Sequence, residues 1–489
     1  MGGNVLNETD LGRIARSIFA QTLTDCSIDK GFAQKIKTAN NGRGRGSLGF
    51  GDHLIDFGRI RHIRIVAVGK ASGPMLNAFL GLISSMSNFD MKGVVVGAQE
   101  LALPHDFSFF RGGHPFPNEA SFAGAAAVLN MLDELPSDAS AENTLCVFLV
   151  SGGASAMLDL PLDSAISLED TVAFHRALVH SGASIMEINC VRKHFSAVKG
   201  GRLAQAARPA TCLTILLSDV PSGRTDTIGS GPTVPDSTTI KECREILERH
   251  RLLQQFPAPV RSFFASEAMP ETVKSLDSNS FTWTVLSADD LADSAKRAAL
   301  ALGFHAVIDN TCDDWDYRDA AAYLLERLRA LRQEHRRVCL ISAGEITVRL
   351  TEQQNEDAFS MNGKGGRNQH FALYAATNLQ DQDAPLAILS AGSDGIDGHS
   401  DAAGAVVDAL TLRPNRMGID TQNHLRAAAE QALQQFDSST FLETLNATIF
   451  TGPTGNNLRD LRILLAEART ETRTDPAKNS DSSASSSLL

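Results

Sequence analysis

Lys364 and Arg367 stand among glycines in the segment Gly363-Lys364-Gly365-Gly366-Arg367-Asn368-Gln369. Glycine lets a backbone turn sharply and come close to a ligand. The residues that follow, His370 to Ala376, read as a helix, so the segment is expected to offer helix-start N–H groups and two fixed cations to an anion. Arginine adds a planar fork that matches phosphate or carboxylate oxygens. A basic surface turn is the plainer reading of this heptad alone.

Other segments carry the same chemistry. Lys70 follows the apolar run Ile63–Val68 in Gly69-Lys70-Ala71-Ser72-Gly73, where a parallel strand hands over to a helix and ligands of open α/β sheets bind; a solvated surface lysine is the alternative. Ser151-Gly152-Gly153-Ala154-Ser155-Ala156 ends the run Cys146–Val150 and reads either as an anion cradle or as tight strand-on-helix packing. Arg192, Lys193, His194, Lys199 and Arg202 are clustered, with Gly200-Gly201 beside Lys199; a charged helix face competes with a shaped site. Asp219 follows the run Leu213–Leu217, and Asp394, Asp397 and Asp401 share one loop. Such aspartates suit Mg²⁺ or a hydroxyl or merely cap turns, and the EF-hand spacing is absent.

Several chemistries are excluded. There is no Walker A motif, no protein-kinase motif set and no H-E-x-x-H, and His175 and His180 are spaced badly for one helical face. The formal G-x-G-x-x-G at Gly44, Gly46 and Gly49 lacks a preceding strand and a following helix. Anion cradles, cations and loop aspartates fit phosphoryl transfer better than acyl or hydride transfer.

These groups need a scaffold. A helix is expected over 8–24, on the spacing of Leu11, Ile14, Ile18 and Leu23, and a flexible loop over Asn40–Gly51. Strands at 63–68, 93–97, 144–150 and 213–217 alternating with helices predict a doubly wound parallel sheet. The pattern restarts with strands at 281–286, 305–308 and 338–341 and a helix at 318–335, whose Leu324, Leu328 and Leu331 form a core stripe. Residues 351–360 read as a polar loop, 386–389 as a strand, Leu458–Ala468 as a helix, and 471–489 as a disordered tail. At 489 residues two domains are expected. A net charge of −12 argues against a nucleic-acid partner, and no apolar run is long enough to span a membrane. Seven cysteines without a C-x-x-C pair suggest reduced thiols in a cytosol-like compartment. The final Ser487-Leu488-Leu489 is a weak echo of a peroxisomal tripeptide.

Taken together, Val68-Gly69-Lys70-Ala71, Gly112-Gly113-His114-Pro115, Ser151–Ala156, Val191-Arg192-Lys193-His194, Lys199–Ala204 and Ser218-Asp219-Val220 with Ser230–Thr233 resemble the class II glycerate kinases. So do Gly344-Glu345, Gly365–Gln369, Gly395–Gly398, Asp401–Gly404 and Thr451–Gly455. In that family the C-terminal part is the MOFRL domain. The resemblance spans about residues 60 to 466. It departs at Ala154, at Ala343-Gly344-Glu345-Ile346, and at Pro221–Asp226, where Arg224 is an added charge.

The resemblance implies a two-domain α/β protein: a Rossmann-like doubly wound sheet domain (55–237) and a second α/β domain (245–470) containing the MOFRL region at about 337–466. The N-terminal helix 8–35 is expected to pack with the second domain, and the site to lie in the cleft between the two. The implied reaction is ATP- and Mg²⁺-dependent phosphorylation of D-glycerate to 2-phospho-D-glycerate by a monomer or homodimer. A hydroxypyruvate reductase and a kinase of another small hydroxy acid are the alternatives. Lys70 and Arg367 are implied as catalytic. Ser151, Gly152, Gly153, Ser155, Arg192, Lys199, Glu345, Gly365, Gly366 and Asn368 are expected to bind substrate or phosphate, and Asp219, Asp394 and Asp397 to bind metal.

Overall fold

The apolar runs at 145–150 and 212–217 are buried along their whole length, as strands covered by helices on both faces must be. A computed structural model describes residues 10–40, 46–86, 89–136, 139–221, 223–349, 363–413 and 419–468. The polar 351–360 segment, the tail and Gly44 lie outside the described residues.

Three short antiparallel strands come first: β1 (Ile36–Asn40), β2 (Gly46–Phe50) and β3 (His53–Asp56). The expectation of a loop over 40–51 is therefore corrected over Gly46–Phe50, where Leu48 and Phe50 are anchored in the core. The first large sheet contains β4 (His62–Val68), β5 (Asp90–Gly97), β6 (Phe107–Arg111), β7 (Thr144–Val150), β8 (Thr211–Leu217) and β9 (Ser280–Leu286). Its order is β6-β5-β4-β7-β8-β9, and every neighbouring pair is parallel. The chain thus winds outward from β4 on one side and from β7 on the other. The crevice where the order reverses lies at the carboxyl ends of those two strands, and doubly wound sheets bind ligands there. Lys70 and Ser151-Gly152-Gly153 follow directly.

The second sheet is mixed. It has the order β10 (His305–Ile308), β11 (Arg337–Gly344), β15 (Asp460–Glu467), β12 (Leu386–Gly392), β13 (Gly404–Asp408) and β14 (Thr448–Ile449). Two expectations change here. Residues 460–467 form a central strand, not a helix, and β9 completes the first sheet, so the passage between sheets falls after Leu286 and not at 245. Because β15 runs antiparallel to both β11 and β12, its first residue, Asp460, pairs with their last residues, Gly344 and Gly392. That register delivers Glu345, Asp394 and Asp460 to one sheet edge.

A single apolar cluster joins the sheets, with Ile63, Leu145 and Ile215 on one side and Leu389 and Ile463 on the other. Helix Asp10–Asp25 contributes Leu11, Ile18 and Phe19 to it and packs on β12, β13, β15 and helix Ala288–Ala301. Helix Asp10–Asp25 thus lies on the second sheet's side, whereas helix Ile28–Lys35 packs on β9 of the first.

Candidate active site

At the first sheet's crevice the Lys70 amide donates to the Gly152 carbonyl (2.9 Å) and the Ser151 amide to the Val68 carbonyl (3.0 Å), so the two turns are stitched together past the strand ends. Ser151 Oγ accepts from the Ala71 amide at 3.1 Å. A Cβ on Gly152 would stand 2.0 Å from Asp219 Oδ2. The glycine is needed there so that Asp219 can lie against the backbone. Burial pushes the Asp219 carboxyl up, against the pull of Lys70 and Arg459. Nearby, Ser155 Oγ shares a hydrogen bond with Ser230 Oγ at 2.9 Å.

In the second sheet, Arg367 opens helix Arg367–Thr377 and is held by two carboxylates. Its Nε donates to Asp460 Oδ2 at 2.6 Å, and its Nη1 to Glu345 Oε2 at 2.9 Å. Against the cost of burial, Asp460 and then Glu345 raise the guanidinium above its ordinary value. Asp460 was not singled out in the sequence; the misread strand hid it. Behind it, Arg459 makes a two-pronged pair with Asp313 (2.7 and 2.8 Å), and Asp313 Oδ1 accepts the Glu345 amide at 2.9 Å.

Four expectations fail at this helix start. Asp397 accepts from the Asn368 and Gln369 amides (3.0 and 2.8 Å) and from both side-chain amides (3.3 and 3.1 Å). Its oxygens are saturated, so it caps the helix and does not serve as a metal ligand, and those helix-start amides are not open to an anion. Gly366 is the reason the cap fits, since a Cβ there would lie 2.2 Å from Asp397 Oδ1. Asn368 is 1% exposed and is locked between Asp397 and Ser390, whose Oγ donates to it at 2.6 Å; it is a framework residue. Lys364 pairs with Glu443 at 3.2 Å, so Arg367 is the cation this segment gives the site.

His370, one turn further on, is 3% exposed and stacks on Phe436, 5.4 Å between ring centroids. Burial and Arg318 lower it from 6.5 to about 4. The unfolded chain then binds the extra proton between those two values, so stability should fall as pH drops through this window. His370→Phe should flatten that acid limb relative to wild type in denaturant titrations from pH 4 to 6.5. An unchanged slope would show that His370 is not the titrating group.

Lys199 is also corrected. It is 1% exposed and its Nζ pairs with Asp159, itself 0% exposed and bonded to His175 Nε2 at 2.6 Å. Burial favours a neutral Asp159, but Lys199 and His175 hold its carboxyl well below the usual range. A side chain so enclosed builds the fold. Lys199→Met should cost about 3–5 kcal/mol by taking the cation from a buried carboxylate that keeps only its His175 and Ser196 hydrogen bonds, with KM unchanged in the folded fraction. A wild-type denaturation midpoint would contradict this.

The two halves meet around a cleft of about 410 Å³ lined by Gly152, Ser155, Arg192, Asp219 and Arg224 from the first sheet's side and by Asp314 from the second. The Arg192 guanidinium has no side-chain or backbone partner among the described residues, and its Nε is buried. A second cavity of about 300 Å³ is lined by Gly365, Gly366, Arg367, His370 and Phe436. At the second sheet's edge, burial and then Asp460 push the Asp394 carboxyl up, against the Ile396 amide and the charges of Lys70 and Arg367.

Comparison with known proteins settles the family. The MOFRL family matches residues 338–460, and a domain of unknown function, DUF4147, matches residues 14–265. A Thermotoga maritima protein named D-glycerate 2-kinase is 36% identical over 82% of this chain and 89% of its own length. The chain belongs to the class II glycerate kinase (MOFRL) family. A glycerate 2-kinase of Pyrococcus horikoshii is 32% identical over 83% of this chain and 88% of its own length. The crystal structure of glycerate kinase from Thermotoga maritima superposes with a TM-score of 0.75 at 32% identity, covering 93% of this chain and 99% of that one. The motifs of this family that sequence reading singled out thus fall into two groups. Lys70, Ser151–Gly153, Ser155, Arg192, Asp219, Glu345, Arg367 and Asp394 surround the cleft and the two sheet edges, whereas Lys199, Asn368 and Asp397 hold the framework. No described helix is long and apolar enough to cross a membrane.

Proposed function

We propose that the chain phosphorylates D-glycerate at its 2-hydroxyl, with ATP as donor. The observation that carries this reading is that one cleft draws its lining from both sheets' sides, with Lys70 lying against its Gly153 and Arg367 fixed by Asp460 and Glu345 at the second sheet's edge. Cations supplied by both sheets suit a phosphoryl group whose charge is spread over its oxygens in the transition state. The unpartnered Arg192 in the cleft suits the carboxylate of a small hydroxy acid, which its planar fork would grip.

Asp219 and Asp394 fit Mg²⁺. Both are carboxylates held where burial disfavours their charge, and no other side chain donates to either among the described residues. Hard oxygen donors of this kind are what Mg²⁺ takes, usually alongside substrate phosphates. Bound there, the ion would neutralise charge on the nucleotide phosphates. The chain's own part is to orient: Gly152 admits Asp219, Asp460 and Glu345 aim Arg367, and the strand ends fix Lys70.

The test is a ³¹P spectrum of the product from ATP and D-glycerate, with and without EDTA. The expected result is 2-phosphoglycerate, lost with EDTA and restored by Mg²⁺. Agrobacterium vitis relatives at 33% identity carry hydroxypyruvate reductase as a provisional name. Oxidation of NADH or NADPH by hydroxypyruvate, with no phosphorylated product, would replace the kinase reading by that one.

A further inference from the structure

Away from the cleft, helices Ile185–Phe195 and Ile240–Arg249 pack side by side. Cys190 and His194 are one turn apart on the first, so they share a face, and Cys243 comes from the second. All three are buried, at 2, 0 and 0% exposure. One ligand atom from each lies within 4.8 Å of the other two. The two cysteines belong to one apolar core cluster with Phe195, Phe263 and Phe264, while Thr238 and Glu271 are polar neighbours.

We propose that Cys190, His194 and Cys243 supply three of the four ligands of a structural site for a soft divalent cation of the zinc class. Two sulfurs and an imidazole are the donors such an ion selects over hard cations. An outer partner is already in place: His194 Nε2 lies 2.9 Å from Glu271 Oε1. Metal-ligating imidazoles characteristically give their second N–H to a carboxylate in this way. Glu271 is itself fixed, accepting the Thr272 amide at 2.9 Å and the Ile240 amide at 3.1 Å. Nδ1 is then the ligand atom. It lies 2.9 Å from the Cys190 carbonyl, an oxygen that as part of a helix has its own intrahelical N–H partner. Binding would therefore leave no backbone group unpaired, and it would release protons from the thiols and Nδ1. Asn189 and Arg192 of the same helix line the cleft, so an ion here would fasten the helix that presents them.

The site is independent of the kinase reading, and its test needs no turnover. The full chain is stripped with a chelator under reducing conditions and titrated with Co²⁺ and Zn²⁺. The expected result is a thiolate-to-cobalt charge-transfer band saturating at one ion per chain, displaced by Zn²⁺, and a raised Tm with either ion. Cys243→Ser should lose the band, and Cys339→Ser, a buried thiol elsewhere, should keep it. Absence of the band and of any Tm shift in the wild-type chain overturns the site, whether or not the variants fold. So does a Cys190–Cys243 disulfide as the form recovered by mass spectrometry without reductant, whatever metal is supplied.

Discussion

Arg367→Ala should lower kcat on the order of 10³-fold and lower the Tm as well. The two losses have different origins. In the transition state the guanidinium would face charge that develops on the transferring phosphoryl group, so its removal should depress kcat more than it raises KM for ATP. In the resting fold the same group satisfies Asp460, only 4% exposed on its side chain, together with Glu345. Leaving those carboxylates without their charged donor should cost about 1–3 kcal/mol; the lower end is favoured because Arg367 is itself 36% exposed and partly screened. A surface arginine in a loop would have been thermally silent, and the register of β15 is what makes this one otherwise. Arg367→Lys retains a charge but cannot serve Nε and Nη1 partners at once, so its kcat should stay well below wild type. Asp460→Asn separates the roles, because it loosens the aim of the guanidinium without removing it. Steady-state kinetics beside thermal melts decide the matter. An Arg367→Ala protein that keeps more than about a tenth of wild-type kcat has no catalytic cation at this position.

The four inner strands of the first sheet, β5, β4, β7 and β8, were legible because they are largely apolar runs of Val, Ile and Leu that two-sided burial explains, whereas the polar-interrupted edge strands β6 and β9 were missed or placed in the second half. Lys70 and Ser151–Gly153 followed from that, since a glycine turn after such a strand sits at the ligand edge. Residues 460–467 were not legible. Asp-Leu-Arg-Ile-Leu-Leu-Ala-Glu is short and apolar with no decisive period, and helix and strand cannot be told apart in such a run. The cost of that ambiguity was Asp460, the residue that aims Arg367. Lys199 and Asp397 failed for another reason. Their types and neighbours suit ligand binding, and what disqualifies them is a partner distant in sequence: Asp159 for Lys199, and the Asn368 and Gln369 amides for Asp397. A charge beside a glycine signals a shaped backbone, but the sequence does not say whether the shape receives a ligand or the protein's own side chain.

Lys70→Met should also reduce kcat/KM on the order of 10³-fold, and here the Tm should not move. Lys70 is exposed at the crevice, and no described side chain accepts from its Nζ, so its loss should change stability by no more than about 0.5 kcal/mol. Its charge nevertheless bears on Asp219 of its own sheet and Asp394 of the other, the carboxylates that the proposed reaction places beside the phosphoryl group. Lys70→Arg should recover part of the loss if charge is what counts. Recovery should be incomplete, because the lysine stem runs close against Gly153, where even a Cβ would lie 3.3 Å from Lys70 Cγ. The double variant of Lys70 and Arg367 gives the sharper measurement. Cations that stabilise the same transition state act as a unit, so the combined loss should fall short of the product of the two single losses. Losses that multiply in full would mean that the cations act on separate steps, and a Lys70→Met protein within tenfold of wild-type kcat/KM would remove Lys70 from the mechanism.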